Sequence, residues 1–406
     1  MTQEQAARSA PPADGFVWAL WISAALLMAV RVYQGHKVGF DLGVVYVAGQ
    51  HFLNGEPVYT DPFFLYLPSS ALLAAPLALL PGPFVIASGA VLAALSIAWL
   101  CVASVRMLAP QTPWMAPVLL VAALISLPGG ALVYGGNTGF IALAALPLLY
   151  RWAMDDRWTR FGLLLGLTIA VKPILAPLVL LPLLARSWRA IAGAVVVPLV
   201  VSAIAMAFMP DPGRLLTSTL PQILAGPPSP FLSADASLSG VLRGWEVDET
   251  WSLAARAAAA VLGLTATVLR WSRSDRGAAR VVESGSLAIL TTSVASSVAW
   301  DHYFLFVLPV FLFATQRGSL VRRAWLVWPC LIPLLIQLIP PTASGVTSYG
   351  AQIGAAIFLT FLALAVTEIR RSIDQRAVET KAPEPQLAFQ HQEDVASVRF
   401  SQRIGG

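Results

Sequence analysis

A lone lysine inside an apolar stretch is hard to explain by packing alone. Lys172, followed by Pro173, interrupts the apolar run at 161–185, and the chain holds only two other lysines. A cation in hydrocarbon costs at least ~2.5 kcal/mol on insertion scales, so it usually faces a cavity, a partner or a ligand. The alternative interpretation is a lysine whose ammonium group extends to a nearby lipid headgroup.

Four other polar side chains could act together with this lysine, namely Asp41, Asn137, Asp301 and His302. A carboxylate opposite a buried cation, with a histidine nearby, suits group transfer from a phosphate-activated donor. Lys172 would neutralise the departing phosphate, and Asp41 would take a proton from an acceptor hydroxyl as general base. His302, beside Asp301, could share this proton transfer or hold the acceptor, and Asn137 would bind a sugar or phosphate oxygen.

Each candidate also has a purely structural interpretation. Asp41 could cap an interfacial helix. The Asp301-His302 pair could form an interfacial turn between two aromatic residues, and Asn137, after two glycines, is typical of a turn. Singly these signals are weak, so their position relative to the membrane decides between the interpretations.

The composition predicts an all-α, polytopic membrane protein. Of the 406 residues, 57% are hydrophobic and only 12% are charged, whereas soluble domains carry about 25% charged residues. The arginines behind the net charge of +5 cluster between hydrophobic segments, which indicates a membrane and not a nucleic-acid partner. Cys101 and Cys330 lie in apolar runs, and the four histidines lack metal-ligand spacing. We therefore expect no metal site.

Because one crossing needs about 20 apolar residues, the pattern predicts about 10–13 transmembrane helices. Besides 161–185, the candidate spans are 16–32, 84–105, 114–128, 137–150, 191–208, 251–269, 281–299, 303–315, 324–339 and 349–369. They form a GT-C-like transmembrane domain at 16–371, between a cytoplasmic segment at 1–15 and a disordered cytoplasmic tail at 372–406.

The arginine-rich loops make a single crossing at 161–185 impossible. Arginines at 151–160 and 186–189 place both ends of this run in the cytoplasm by the positive-inside rule. A helix broken at Lys172-Pro173 resolves the conflict. Each half then has ~12 residues and spans ~18 Å, so Lys172 would lie in a recess below the outer surface, where irregular backbone must line a cavity.

The positions of the arginine-rich loops also place the other candidate site residues on the outer face. Turns near 135–137 and 300–302 fall there, as do two outer loops, 34–65 and 209–250. The segment at 66–83 is too short to span comfortably and is expected to be re-entrant or interfacial. Asp41, Asn137, Lys172 and the Asp301-His302 pair would thus share one extracytoplasmic face.

Several stretches resemble glycosyltransferase family 87, whose GT-C-fold members use polyprenyl-phosphate sugars. Residues 41–46, 55–59 and 66–68 resemble its first outer loop, with an Asp, a Gly-x-x-x-Tyr and a Tyr-Pro-Pro in which Leu67 replaces the first proline. Residues 167–190 are similar to its arabinofuranosyltransferase branch. Residues 300–303 are more similar to the Trp-x-His-His of its α-mannosyltransferases.

The resemblance implies an inverting transferase that moves a sugar from a decaprenyl-phosphate carrier to a cell-wall glycan of arabinan, galactan or mannan type, outside the cytoplasmic membrane. It favours arabinofuranose, with mannose as the alternative. It makes Asp41 the base, and we expect Tyr46 and Tyr66 from the matching stretches to bind substrate. The leaving group is already a phosphate monoester, so no metal or other cofactor is expected.

Two other classes of protein remain as alternatives. In a lipid-linked sugar transporter or flippase, Lys172 would bind the translocated anion, and the chain could also be a non-catalytic scaffold. The enzyme is favoured because the polar groups collect at one face, whereas transporters place their sites near the midplane between paired broken helices.

Overall fold

The computed structural model describes residues 14–225, 234–273, 277–316, 318–335 and 349–381. Within these ranges the regular elements are helices, and extended pairing is limited to an isolated bridge between Asp235 and Trp300. The predicted all-α class is confirmed. The predicted segment at 1–15 lies almost wholly outside the described residues.

The structure describes eighteen α-helices. In chain order they are α1 (Asp14–Gly35), α2 (Phe40–Asn54), α3 (Pro68–Ala78), α4 (Gly82–Leu108), α5 (Met115–Ile125), α6 (Leu127–Gly135), α7 (Gly139–Met154), α8 (Trp158–Val171), α9 (Leu180–Leu184), α10 (Trp188–Phe208), α11 (Leu220–Ala225), α12 (Leu238–Gly244), α13 (Glu249–Ser272), α14 (Ala278–Ala295), α15 (Leu320–Arg323), α16 (Val327–Cys330), α17 (Ile332–Leu335) and α18 (Tyr349–Lys381). Val58–Thr60, Pro173–Val179 and Asp301–Phe313 are 3-10 helices, and Leu215–Thr219 is a π-helix.

Five of the described helices are long and apolar enough to cross a membrane: α1, α4, α10, α13 and α18. The pair α5 and α6, bent by 71°, could form a sixth span. Other predicted spans are shorter, such as the 16 residues of α7 and the 13-residue 3-10 helix at Asp301–Phe313. The chain is thus a multi-pass membrane protein, although fewer helices within the described ranges have full spanning length than the 10–13 predicted.

The helix break predicted at Lys172 is present. Helix α8 ends at Val171, Lys172 is extended (φ −156°, ψ 123°), and the chain continues as the 3-10 helix Pro173–Val179. Carbonyl groups at a helix C-terminus have no partner within the helix. Here the Ser69 and Ser70 hydroxyls donate to Ala170 O and Val171 O, both at 2.6 Å.

Close packing shows how the chain turns back after Lys172. Gly162 lies against Ala190, where an added Cβ would meet Ala190 O at 2.2 Å, and Gly166 lies against Ala194 and Val197. Because later residues of α8 contact later residues of α10, the two helices are parallel. Residues 173–184 therefore return the chain to the end from which α8 started, as the arginine count predicted.

The arginine-rich loops collect at the end of the helices opposite Lys172. The Trp158 ring at the start of α8 contacts the Trp271 ring at the end of α13, with centroids 6.2 Å apart. The Arg280 guanidinium lies 4.5 Å from the centroid of the same Trp271 ring. Loops that are distant in sequence thus meet at one end of the molecule.

Three predicted non-membrane segments contain more helix than expected. The outer loop at 34–65 holds α2, whose Val44, Val45 and Ala48 are buried against α3. The outer loop at 209–250 holds the π-helix, α11 and α12. Helix α18 continues past Ser372 to Lys381, so the predicted disordered tail starts too early, and its remainder lies outside the described residues.

Candidate active site

Two glycines bring the first site residues together. Gly39 (φ 43°) precedes α2 and Gly136 (φ 55°) follows α6, and both adopt the left-handed conformation that glycine tolerates best. A Cβ on Gly136 would lie 3.3 Å from the Gly39 Cα atom, so the two turns touch. Asp41 therefore lies beside Asn137. Gly39 occupies the N-cap position, so the interpretation of Asp41 as a helix cap is wrong.

Asn137 joins the candidate base to the candidate phosphate-binding cation. Its Nδ2 donates a hydrogen bond to Asp41 Oδ2, while its Oδ1 accepts from Lys172 Nζ at 2.7 Å and from Gly139 N at 2.8 Å. Two donors at Oδ1 fix the orientation of the amide. Asn137 is only 1% exposed and both ends of its amide are engaged. The structure thus favours a positioning role over the predicted contact with a sugar or phosphate oxygen.

Lys172 is buried and points inward, so its ammonium group does not extend to a lipid headgroup. The residue is 7% exposed, and Nζ lies 5.3 Å from the centroid of the Tyr66 ring. The Tyr66 hydroxyl accepts a hydrogen bond from Thr138 Oγ1 at 3.4 Å. In the described part of the chain no carboxylate forms an ion pair with Lys172. Its charge is therefore available to an anionic ligand.

The Asp301-His302 pair presents an imidazole nitrogen without a protein partner. Asp301 Oδ1 accepts from His302 N at 2.7 Å and lies 3.3 Å from His302 Nδ1. His302 Nε2 is buried and has no hydrogen-bond partner among the described residues. If Nδ1 carries the proton shared with Asp301, Nε2 can accept a hydroxyl proton.

A buried aspartate that the sequence analysis missed anchors this pair. Asp235 is fully buried, and its Oδ1 accepts from Ser237 N at 3.0 Å and from Ala299 N at 3.2 Å. Ala236 N donates to Ala299 O at 2.6 Å. The backbone that leads to Asp301 is thus held by the outer segment before α12.

Two cavities meet at Asp41. The first has a volume of 470 Å³, and its charged or titratable lining residues are Arg31, Asp41, Tyr134, Asp301 and His302. The second has a volume of 270 Å³ and is lined by Asp41, Lys172 and Tyr66, among others. The cavities share the lining residues Asp41, Phe63, Leu65 and Trp300. A reacting group at Asp41 can therefore be approached from two sides.

Arg31 is a second cavity residue that the sequence analysis missed. Its Nε donates to Leu124 O at 2.9 Å, and the half-buried side chain lines the larger cavity. An arginine at the end of α1 nearest the site departs from the positive-inside rule, and this departure could have identified it.

Tyr46 does not join the other predicted site residues. Its hydroxyl donates to Leu80 O at 2.9 Å and accepts from Gln50 Nε2 at 3.2 Å. It lines neither of the two cavities at Asp41. Tyr66, from the third matching stretch, does line the cavity that contains Lys172.

Comparison with known proteins identifies what the chain is similar to. The sequence profile of glycosyltransferase family 87 matches residues 64–297. An alpha-(1->3)-arabinofuranosyltransferase of Mycobacterium tuberculosis is 30% identical over 326 residues, 76% of this chain and 74% of that protein. The enzyme of the same name from Corynebacterium glutamicum is 26% identical, with 84% of each chain covered.

A mannosyltransferase is also similar. The polyprenol-phosphate-mannose-dependent alpha-(1-2)-phosphatidylinositol mannoside mannosyltransferase of Mycolicibacterium smegmatis is 27% identical over 373 residues, 80% of this chain and 81% of that protein. No solved structure matches the chain.

Proposed function

The chain belongs to glycosyltransferase family 87, and we propose that this membrane glycosyltransferase moves an arabinofuranosyl group from a polyprenyl-phosphate carrier to a glycan acceptor. The observation that carries the proposal is the pair of cavities that meet at Asp41. One contains a buried lysine without an ion-pair partner among the described residues, and the other contains a free imidazole nitrogen. These groups suit a phosphate and a hydroxyl respectively.

In the proposed reaction the acceptor oxygen forms a bond to the anomeric carbon while the bond from that carbon to the phosphate oxygen breaks. Asp41 takes the hydroxyl proton as general base. Lys172 stabilises the negative charge on the departing polyprenyl phosphate. Attack from the side opposite the leaving group inverts the anomeric centre, which suits two cavities on either side of Asp41.

Asn137 and His302 assist this reaction in different ways. Asn137 holds one carboxylate oxygen of Asp41 and leaves Oδ1 for the acceptor. Its amide is also held by Gly139 N, so this orientation persists when Lys172 moves toward a phosphate. His302 lines the larger cavity, and its buried Nε2, which has no hydrogen-bond partner among the described residues, would accept a hydrogen bond from an acceptor hydroxyl.

The relatives favour arabinofuranose as the transferred sugar. The arabinofuranosyltransferases are 26–33% identical to this chain, and the polyprenol-phosphate-mannose-dependent relative is 27% identical. We propose an arabinan or galactan acceptor, and a mannan acceptor if the sugar is mannose. The polyprenyl-phosphate donor rests on that second relative's name and on the lysine in the smaller cavity.

We place the site on the extracytoplasmic side of the cytoplasmic membrane, because the arginine-rich loops lie at the opposite end of the helices and such loops favour the cytoplasm. We also propose that transfer needs no metal or other cofactor. The leaving phosphate monoester carries less charge than a pyrophosphate, and Lys172 can neutralise part of it. Full activity after treatment with a chelator is the expected result, and loss that Mg²⁺ or Mn²⁺ restores would contradict this part.

The test uses the purified full chain in lipid nanodiscs. It is incubated with decaprenyl-phosphoryl arabinofuranose or decaprenyl-phosphoryl mannose and a short arabinan or mannan acceptor, and products are identified by mass spectrometry. We expect extension of the arabinan with the arabinofuranosyl donor. Extension with mannose alone would assign the other sugar, and no extension with any pair would overturn the proposal.

A matched pair of variants tests the role of Asp41. Asp41→Asn should abolish transfer and leave the thermal unfolding temperature near the wild-type value. Asp211→Asn removes a carboxylate that pairs with Arg214 and lines neither cavity, so this variant should retain activity.

A transport assay distinguishes the alternative class of protein. Movement of the donor across a vesicle membrane without sugar transfer would indicate a flippase.

A further inference from the structure

A basic cavity lies at the arginine-bearing end of the molecule, opposite the candidate active site. Its volume is 760 Å³, and it lies between α18 and the segment that contains α15 and α16. Its charged lining residues are Arg323, Arg370, Arg371 and Asp374. Three guanidinium groups thus face one carboxylate, so the cavity carries excess positive charge.

The nearby buried carboxylates neutralise this charge only in part. Glu368 attracts Arg371 but is also bound by Arg273, so the arginines Arg273, Arg323, Arg370 and Arg371 still outnumber the carboxylates Glu368 and Asp374. Glu283 accepts a hydrogen bond from Arg270 Nε at 2.5 Å. Nη1 of Arg371 is buried and has no hydrogen-bond partner among the described residues. A buried donor without an acceptor is costly, so the arrangement favours an anion in the cavity.

The rest of the cavity wall is apolar and follows α18. Leu359 and Val366 are 47% and 49% exposed, and Leu326 on the opposite wall is 51% exposed. From Leu359 to Arg370 the helix rises about 16 Å at 1.5 Å per residue. One leaflet of a ~30 Å hydrocarbon core has about this depth. The apolar wall therefore matches the length of a lipid chain that starts at the arginines.

We propose that this cavity binds one anionic phospholipid. Its phosphate lies against Arg323, Arg370 and Arg371, and an acyl chain follows the apolar wall of α18. Basic pockets between membrane helices bind anionic headgroups. A soluble anion would leave the apolar wall uncovered, and a zwitterionic lipid would bring its own cation to a cavity that already has excess positive charge.

The test measures lipid retention by the full chain in a non-ionic detergent. Phosphatidylglycerol or phosphatidylcholine is added, bound lipid is counted by native mass spectrometry, and the thermal unfolding temperature is recorded. We expect one retained phosphatidylglycerol that raises the unfolding temperature, and weaker retention of phosphatidylcholine. Arg323→Ala with Arg370→Ala changes two exposed side chains and should weaken phosphatidylglycerol binding at least about tenfold, without changing basal transferase activity.

Arg157→Ala with Arg160→Ala is the matched control, because both side chains are exposed near the start of α8, at the same end of the molecule. This double substitution should leave the retention of phosphatidylglycerol unchanged. An equal loss of retention in both double variants would show that diffuse surface charge holds the lipid, and would overturn the proposal. Equal retention of the two lipids, or equal stabilisation by inorganic phosphate, would also overturn it. If phosphatidylglycerol is retained only after the chain is truncated at Lys381, the tail occupies the cavity in the full chain. That result would also overturn the proposal.

Discussion

Substitution of Asn137 tests whether this residue positions the base or binds substrate. Asn137→Asp keeps the side-chain shape and an oxygen for Lys172 and Gly139, but it removes the Nδ2 donor to Asp41. A hydrogen bond to a charged group contributes about 1.5–3 kcal/mol. If that energy orients Asp41 in the transition state, its loss lowers kcat by roughly 10- to 150-fold. The repulsion between two carboxylates adds to this loss.

Asn137→Ala gives a second measurement of the same contact. It removes the bond to Asp41 and also frees Lys172 Nζ from its 2.7 Å contact with Oδ1. The freed ammonium group remains available to the donor phosphate, so we expect a lower kcat and no increase in the KM for the donor. Gln352→Ala, which removes a buried amide that lines neither cavity at Asp41, is the control for folding.

Steady-state kinetics with the lipid-linked donor and a short glycan distinguishes the two roles. An increase in the KM for donor or acceptor, with kcat unchanged, would refute the positioning role and restore the sequence-based prediction of a substrate ligand. If a lower unfolding temperature accounts for the whole loss of activity, Asn137 has a structural role. That result would refute both the positioning role and the substrate-binding role.

The remaining predictions concern the lysine, a tyrosine and the topology. Lys172→Met should raise the KM for the donor by roughly 10- to 150-fold, since it removes a charge-assisted contact, with little change for the acceptor; equal increases would indicate a structural lysine. Tyr46→Phe should retain near-normal kcat, because its hydroxyl contacts Leu80 O and not a cavity at Asp41, and a large loss in kcat would restore the substrate role. Topology can be tested in a Cys330→Ser background with cysteines placed at two exposed positions. Ser218→Cys should react with an impermeant thiol reagent from outside the cell, and Ser272→Cys should react only after permeabilisation. The reverse pattern would invert the topology.

The sequence predicted the break at Lys172 because two physical constraints conflicted. A helix cannot begin and end on the same side of a membrane, and arginine-rich loops favour the cytoplasm. The proline after Lys172 marked where the helix could stop. The same reasoning located the turns around Asn137 and Asp301. In the structure α6 ends at Gly135 and a 3-10 helix begins at Asp301.

The contacts within the site could not be predicted from the sequence. Asp41 and Asn137 are separated by 96 positions and meet because the Gly39 and Gly136 turns touch. Neither glycine has a side chain that would indicate the contact. Asp235 was missed because a polar segment that becomes buried looks like an exposed loop until its partner, Ala299, is known.

Fewer of the described helices have full spanning length than the 10–13 predicted, for a related reason. Hydropathy reports how apolar a segment is, but not whether it faces lipid or packs inside the protein. The run at 303–315 is as apolar as a span, yet it forms a 3-10 helix whose side chains are mostly buried. Internal segments of this kind can be short because other helices, and not lipid, surround them.

The parallel packing of α8 and α10 also has a consequence for how the donor is delivered. Val197 of α10 lies against Gly166 of α8. Six residues further along, Lys172 is level with about residue 203, which is roughly 8 Å short of the end of α10 at Phe208. If the donor is a lipid phosphate, as proposed above, its phosphate must leave the headgroup plane and descend to meet this ammonium group. In a thicker bilayer the descent is longer, and mismatch costs a fraction of a kcal/mol per Å. Bilayer thickness would then modulate the rate of transfer.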